Sequence, residues 1–144
     1  MRAAYSGLAI LVLGATLASC SQDAGEISRD STPFDGIADT AEINLLGNEP
    51  FWGLEVADGQ ATFRTPENIE GTVFSVARFA GNNGLGVSGS MAGEPVQATI
   101  TPGACNDTMS DRTYPYAATV AIGDRTLYGC GYTSDEPFTG EQEP

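Results

Sequence analysis

From residue 41 onward the chain alternates apolar and polar positions with a period of two. Trp52, Leu54 and Val56 share one side of the stretch 51–56, with Glu55 on the other. Phe63 takes the inward side of 60–65, and Leu85, Val87 and Met91 that of 85–91. Val96, Ala98 and Ile100 alternate with Gln97, Thr99 and Thr101, and Ala118, Val120 and Ile122 form another such row. This period marks half-buried strands. Strands are expected at 42–46, 51–56, 60–65, 73–79, 85–91, 96–101, 118–122 and 125–131, the fourth with apolar residues on both faces.

Between them stand turn signals: Asp58-Gly59, Gly81-Asn82-Asn83-Gly84, Ala92-Gly93, Pro102-Gly103 and Gly123-Asp124, with a loop at 66–71. Asp-Gly is a preferred two-residue hairpin turn and Gly-Asp suits the type II′ form. Tight turns join neighbours antiparallel, so the sheet reads as a meander. No stretch of ten or more residues in this region has helical period. The expected fold is all-β: about eight antiparallel strands closed into a small barrel, filled by side chains or holding one small ligand. Closure removes exposed edges. A two-sheet sandwich is the alternative.

The pattern before residue 41 differs. Arg2 precedes an apolar run at 7–17, and Leu17-Ala18-Ser19-Cys20 reads as a lipobox. The run is shorter than the roughly 20 residues a spanning helix needs, so 1–19 is expected to be a lipoprotein signal peptide. Cleavage would leave Cys20 as the lipidated (thioether and palmitate-type acyl) N-terminus, with several chains giving stable anchoring. Ser21 at the next position fits export to the outer membrane, facing the periplasm. Residues 20–40 are rich in Ser, Asp, Glu, Thr and Gly and are expected to form a flexible linker. The barrel is expected at 41–133, and 134–144 is expected to be a disordered acidic tail.

Charge narrows the partners. The mature part has no His and no Lys, and five Arg face nineteen acids, a net −14 against −13 for the whole chain. Such a field repels nucleic acid and anionic lipid surfaces, so membrane attachment falls to the lipid. With Cys20 lipidated, Cys105 and Cys130 remain, and an exported protein is expected to pair them. Leu127 faces inward, so Cys130 should face outward and the bridge should clip the base of a loop at 105–116 onto the last strand.

That loop gathers the candidate chemistry: Asn106, Asp107, Ser110, Asp111 and Arg112 beside Tyr114 and Tyr116. Without His or Lys, Ser-His, Cys-His and Ser-Lys catalysis are excluded. Asp107 and Asp111 as a carboxylate pair on a glycoside weigh less than the same residues capping turns. Calcium held by Asn106, Asp107, Ser110 and Asp111 lacks EF-hand spacing, and no metal or cofactor is expected. Trp52 and Phe51 read as core packing at a barrel end more than as a ligand mouth.

Five segments carry a resemblance: Gly47-Asn48-Glu49-Pro50-Phe51-Trp52; Thr65-Pro66-Glu67; Thr101-Pro102-Gly103 with Cys105; Met109-Ser110-Asp111-Arg112-Thr113-Tyr114-Pro115; and Leu127 with Gly129-Cys130. Together, over about 44–131, they resemble a family of small uncharacterised bacterial envelope lipoproteins. The family pattern has Asp-Gly before Met-Ser, where this chain has Asp107-Thr108. The resemblance implies an envelope location and the extent of the domain, and it brings no established activity. At fold level alone the chain is also similar to membrane-bound inhibitors of c-type lysozyme, without their inhibitory motif.

The expected function is therefore that of a monomeric, non-catalytic binding module. The clipped loop 105–116 would contact an envelope protein, a hydrolase or a glycan through Asp111, Arg112, Tyr114 and Tyr116. On that reading, alanine at Arg112 and Tyr114 abolishes binding and leaves thermal stability nearly unchanged. A carrier holding a small apolar ligand beneath Trp52 is the alternative, and a carboxylate hydrolase ranks last.

Overall fold

Eight strands follow one another around a closed barrel: β1 Ile43–Asn48, β2 Phe51–Ala57, β3 Gln60–Thr65, β4 Asn68–Ala80, β5 Leu85–Met91, β6 Glu94–Asn106, β7 Thr113–Ile122 and β8 Arg125–Thr133. Each pairs antiparallel with the next, and β8 closes on β1 through Ile43↔Thr133 to Leu46↔Cys130. A computed structural model describes residues 32–140 of the chain. The expected signal peptide, Cys20, the linker up to 31 and the last four residues lie outside the described residues.

The barrel is the all-β fold the alternation implies, and it is not a sandwich. The apolar rows face inward and form one contiguous core, with Ile43, Val56, Ala98, Ile100 and Val120 fully buried. On β4 the phase resolves: Phe74 points inward while Val73 and Phe79 stay exposed. The turns obey their residues. Asp58 and Gly59 both take positive φ (51° and 74°), as a type I′ hairpin requires.

Trp52 closes the end of the barrel that carries the β1–β2 turn. Its indole lies across Gly47 on the paired strand: a Cβ added there would sit 2.1 Å from Trp52 Nε1. A Cβ on Gly129 would meet the Leu46 carbonyl oxygen at 1.9 Å and the same indole at 3.0 Å. Glycine at these two positions lets β1 and β8 approach under the ring.

The opposite end, where the chain enters and leaves, is closed by residues expected to be linker. Ile37 is buried and Phe34 packs on the core. Phe34 N donates to Gly81 O at 2.8 Å. Arg78 donates to the carbonyls of Ala38, Ala41 and Val56, tying this segment to the wall. The acidic tail also departs from expectation through Gly140: Glu136 N donates to Thr133 Oγ1, and Thr113 and Thr139 exchange two backbone hydrogen bonds. One aromatic in each segment, Phe34 and Phe138, supplies apolar surface that a composition average hides.

Two hairpins outgrow the barrel. β4 begins at Asn68, inside the expected 66–71 loop. β6 runs through Pro102-Gly103 to Asn106 by way of a bulge between Pro102 and Cys105, and β7 starts at Thr113 instead of 118. The expected loop 105–116 is thereby reduced to 107–112.

Candidate functional site

The extended β6–β7 hairpin folds back along the outside of the barrel over the seam of β8 and β1. Three ties mark its path. Cys105 and Cys130 are bridged, with Cα atoms 5.6 Å apart. Tyr114 packs on Tyr132 with ring centroids 6.1 Å apart. Asn48 Nδ2, at the far end of β1, donates to the Asp107 carbonyl. Cys130 pairs with Leu46 and Ala117 in the outward row, as its spacing from Leu127 requires, but it is buried because the hairpin covers it.

Beneath the hairpin lies a small second core. Phe138 from the C-terminal segment meets Tyr114 at 5.5 Å and stands edge-on to Tyr132 at 5.2 Å. The Arg112 guanidinium caps the cluster, 4.1 Å above the Phe138 ring, where a cation is attracted to the ring face. Satellite clusters of this kind form under long connections.

The tip is organised by one carboxylate. Asp107 Oδ1 accepts from Met109 N at 3.0 Å, Ser110 N at 2.8 Å and Ser110 Oγ at 3.0 Å. Asp107 Oδ2 accepts from Ser110 Oγ at 2.8 Å and from Tyr114 Oη at 3.0 Å. Asn106 repeats the device: its Oδ1 accepts from Thr108 N and its Nδ2 donates to Arg112 O. These are Asx-turn contacts, in which a short side chain replaces missing backbone partners. Burial pushes the Asp107 carboxyl up, but the bonds from Met109, Ser110 and Tyr114 together outweigh it and hold it below its ordinary value. Burial raises the Tyr114 hydroxyl; Arg112 opposes that shift and Asp107 reinforces it.

This geometry reassigns the candidate residues. Tyr114 is 1 % exposed, with its hydroxyl spent on Asp107, so it holds the hairpin, and with Arg112 it lines the cleft at the tip. Tyr116 is buried in the barrel core, and its hydroxyl donates to Glu136 Oε2 at 2.5 Å and Gly36 O at 3.4 Å, stapling the two terminal segments. Burial, then Glu136, pushes that hydroxyl up to about 12. Arg112 is half-buried on Phe138, and Asp111 alone of the four is exposed. A signal for the two tyrosines is present in the sequence. The inward row Ala118, Val120, Ile122 extends backward through Tyr116 and Tyr114, interrupted only by Pro115 on the outward side.

Beside exposed Asn106, Thr108 and Asp111, the tip offers solvent one large apolar side chain. Met109 is 66 % exposed, and Phe51, across the Asn48–Asp107 contact, is 52 % exposed. Between them a cleft of about 300 Å³ is lined by Leu46, Asn48, Phe51, Asp107, Met109 and Ser110 among others. Leu46, Asn48 and Phe51 also border a second cleft of about 320 Å³ that continues over Gly53 to Arg64, Pro66 and Ile69. No side-chain pattern predicts this groove: Met109 and Phe51 stand 58 residues apart and meet only because the hairpin folds back.

The arrangement is poor in reactive groups. The Asp107 carboxylate is taken up by hydrogen bonds, and among the described residues no cluster of three His, Cys, Asp or Glu side chains could hold a metal ion. The barrel interior is packed by the core, and the cleft touching Trp52 and Phe63 sits at the mouth between the turns.

No protein family, curated protein or solved structure matches the chain.

Proposed function

We propose that this chain is a lipid-anchored protein of the cell envelope that acts as a non-catalytic binding module. Its working surface is the groove between the tip of the clipped hairpin and the β1–β2 turn. The observation that carries this reading is the exposure of Met109 on a tip immobilised by the Asp107 contacts and the disulfide, opposite exposed Phe51. A loop whose backbone is held rigidly in the free protein loses little conformational entropy on binding. Methionine and aromatic residues are enriched at interfaces.

The partner's chemistry follows from charge. Glu49 and Asp111 are exposed near the groove, and the chain carries −13. A partner with an apolar anchor and a basic rim fits, such as a basic envelope hydrolase or a basic envelope protein. The lipid on Cys20, with outer-membrane attachment facing the periplasm and membership of the envelope lipoprotein family resembled by the sequence, belongs to the same proposal and rests on the residues around 17–21 and 47–52. The filled interior argues against the carrier, and the occupied Asp107 carboxylate argues against the hydrolase.

Affinity capture from detergent-solubilised envelopes tests the reading. Wild type is compared with a Met109→Asp, Phe51→Ala variant, both side chains being exposed and removable without opening the core. A basic protein retained by wild type and lost by the variant, at unchanged thermal midpoint, is the expected result. Equal retention by both sinks the proposal.

A further inference from the structure

The wall of the barrel has one undefended edge, on the second overgrown hairpin. β4 pairs with β3 in one register from Gln60↔Ser75 to Phe63↔Thr72 and, past a bulge between Phe63 and Thr65, again at Thr65↔Asn68, but its pairing with β5 starts only at Val76↔Gly89. Residues 68–75 therefore have a strand neighbour on one side alone. The ladder shows which groups face outward. Val76 N donates to Gly59 O on the β3 side. In an antiparallel pair such bonds recur at every second residue, so Phe74 and Thr72 also face β3. The N–H and C=O of Val73 point to the open side, where β5 does not reach.

We infer that this edge, Asn68–Ser75, accepts an extended peptide segment by strand addition, and that the segment carries alternating apolar and basic residues. Exposed edges of this kind template pairing with another chain. The flanking side chains set the occupant. Ile69 is 78 % exposed and Val73 58 % exposed, which supplies apolar contact. Glu67 and Glu70 stand exposed at the tip, and with the net charge of −13 they repel a second copy of this chain and attract basic side chains. The matching edge on the other hairpin is closed to the same use. There β6 carries Pro102, which has no N–H to offer a neighbouring strand. This surface meets the far end of the second cleft at Ile69 but includes neither Met109 nor Phe51, and the inference stands or falls without the binding-module reading.

The experiment uses the full mature chain and a defined probe, the capped hexapeptide acetyl-Lys-Val-Lys-Val-Lys-Val-amide, with its Glu-for-Lys counterpart as control. Hydrogen exchange is read amide by amide. The expected result is at least tenfold slower exchange at Val73 on adding the basic peptide, no change at Thr72 and Phe74, and at least tenfold weaker binding of the acidic peptide. Val73→Pro removes the edge N–H without touching the β3 ladder and should weaken the basic peptide tenfold or more. Absence of protection at Val73, or equal binding of the two peptides, overturns the inference. Protection at Val73 that grows with protein concentration in the absence of peptide overturns it in favour of a second copy. The exchange measurement on wild type holds even if the proline variant fails to fold.

Discussion

The two overgrown hairpins begin from the same problem and solve it differently. β3–β4 and β6–β7 both extend past the wall of the barrel, where a strand loses a neighbour and half of its inward side chains lose a core. β6–β7 is bent back, cross-linked through Cys105–Cys130, packed underneath by Phe138 and closed by the Asp107 turn. Among the described residues β3–β4 has only local ties: Asn68 Oδ1 accepts from Gly71 N, Asn68 Nδ2 donates to Thr72 Oγ1, and Arg64 pairs with Glu55 at 3.0 Å, both side chains half-exposed. Such a surface pair contributes little, typically under about 1 kcal/mol. The difference shows where rigidity has been concentrated. One hairpin is fixed and presents a side chain, while the other leaves backbone groups open.

The largest break in that comparison should come from Tyr114→Ala. It empties the second core and removes a donor from Asp107. A buried aromatic truncated to alanine costs about 3 kcal/mol or more, read as a lower midpoint in chemical denaturation. The sequence-based expectation is that alanine at Arg112 and Tyr114 leaves stability nearly unchanged; the burial of Tyr114 points the other way. An unchanged midpoint would mean that the hairpin does not depend on its underside.

Replacing both Cys105 and Cys130 with Ser comes next. A closed loop of 25 residues' separation corresponds to about 3 kcal/mol in the chain-entropy model. Hydrogen exchange should rise first at 105–116 and stay unchanged at 60–75. If both hairpins loosen equally, the clip acts on the whole barrel and the contrast drawn here fails.

Titration separates the two ends of pH. Asp107 is held below its ordinary value of 3.8, so its contribution is complete above that value and is lost as pH falls through the lower folded-state value. The tip should therefore loosen only below about pH 4, seen as Met109 and Ser110 amides losing protection before the barrel melts. Tyr116 is raised from 10.0 to about 12, so its contribution is complete below pH 10 and is lost as pH climbs through about 12. Absorbance at the phenolate band should show tyrosine that ionises only as the pH nears about 12. Ordinary titration of every tyrosine would deny the Tyr116–Glu136 staple.

The barrel was legible because alternation depends only on which side of a strand faces the core. The rows ending in Val56, Ile100 and Ile122 could be assigned without knowing their neighbours, and the bounds of β3 fall as expected. The hairpin extensions were not legible for the same reason in reverse. Residues 101–106 and 68–72 have no core on either side, so nothing imposes a period. Pro115 and Pro102 read as strand breakers, yet each is tolerated where a ladder bond is absent. Phe138 is silent in sequence because the surface it covers is made by residues six to twenty-six positions earlier.

The smallest effect tests the backbone itself, and each hairpin supplies one half. Gly71 has φ of 84°, and a Cβ there would lie 2.7 Å from Thr62 Cγ2 and 2.8 Å from Arg64 Cγ. Thr108 has φ of 64°, in the region that L-residues rarely adopt, at the position where the resembled family carries glycine. A residue in the left-handed region costs roughly 1–2 kcal/mol, and glycine removes that cost while adding about 0.5–1 kcal/mol of chain entropy to be lost on folding. Thr108→Gly should therefore stabilise by up to about 1 kcal/mol, and Gly71→Ala should destabilise by at least as much, because strain and crowding add. Opposite signs in one set of denaturation curves would locate the residual strain in the clipped hairpin. A loss on Thr108→Gly would mean that the Thr108 side chain contributes something its backbone conformation does not reveal.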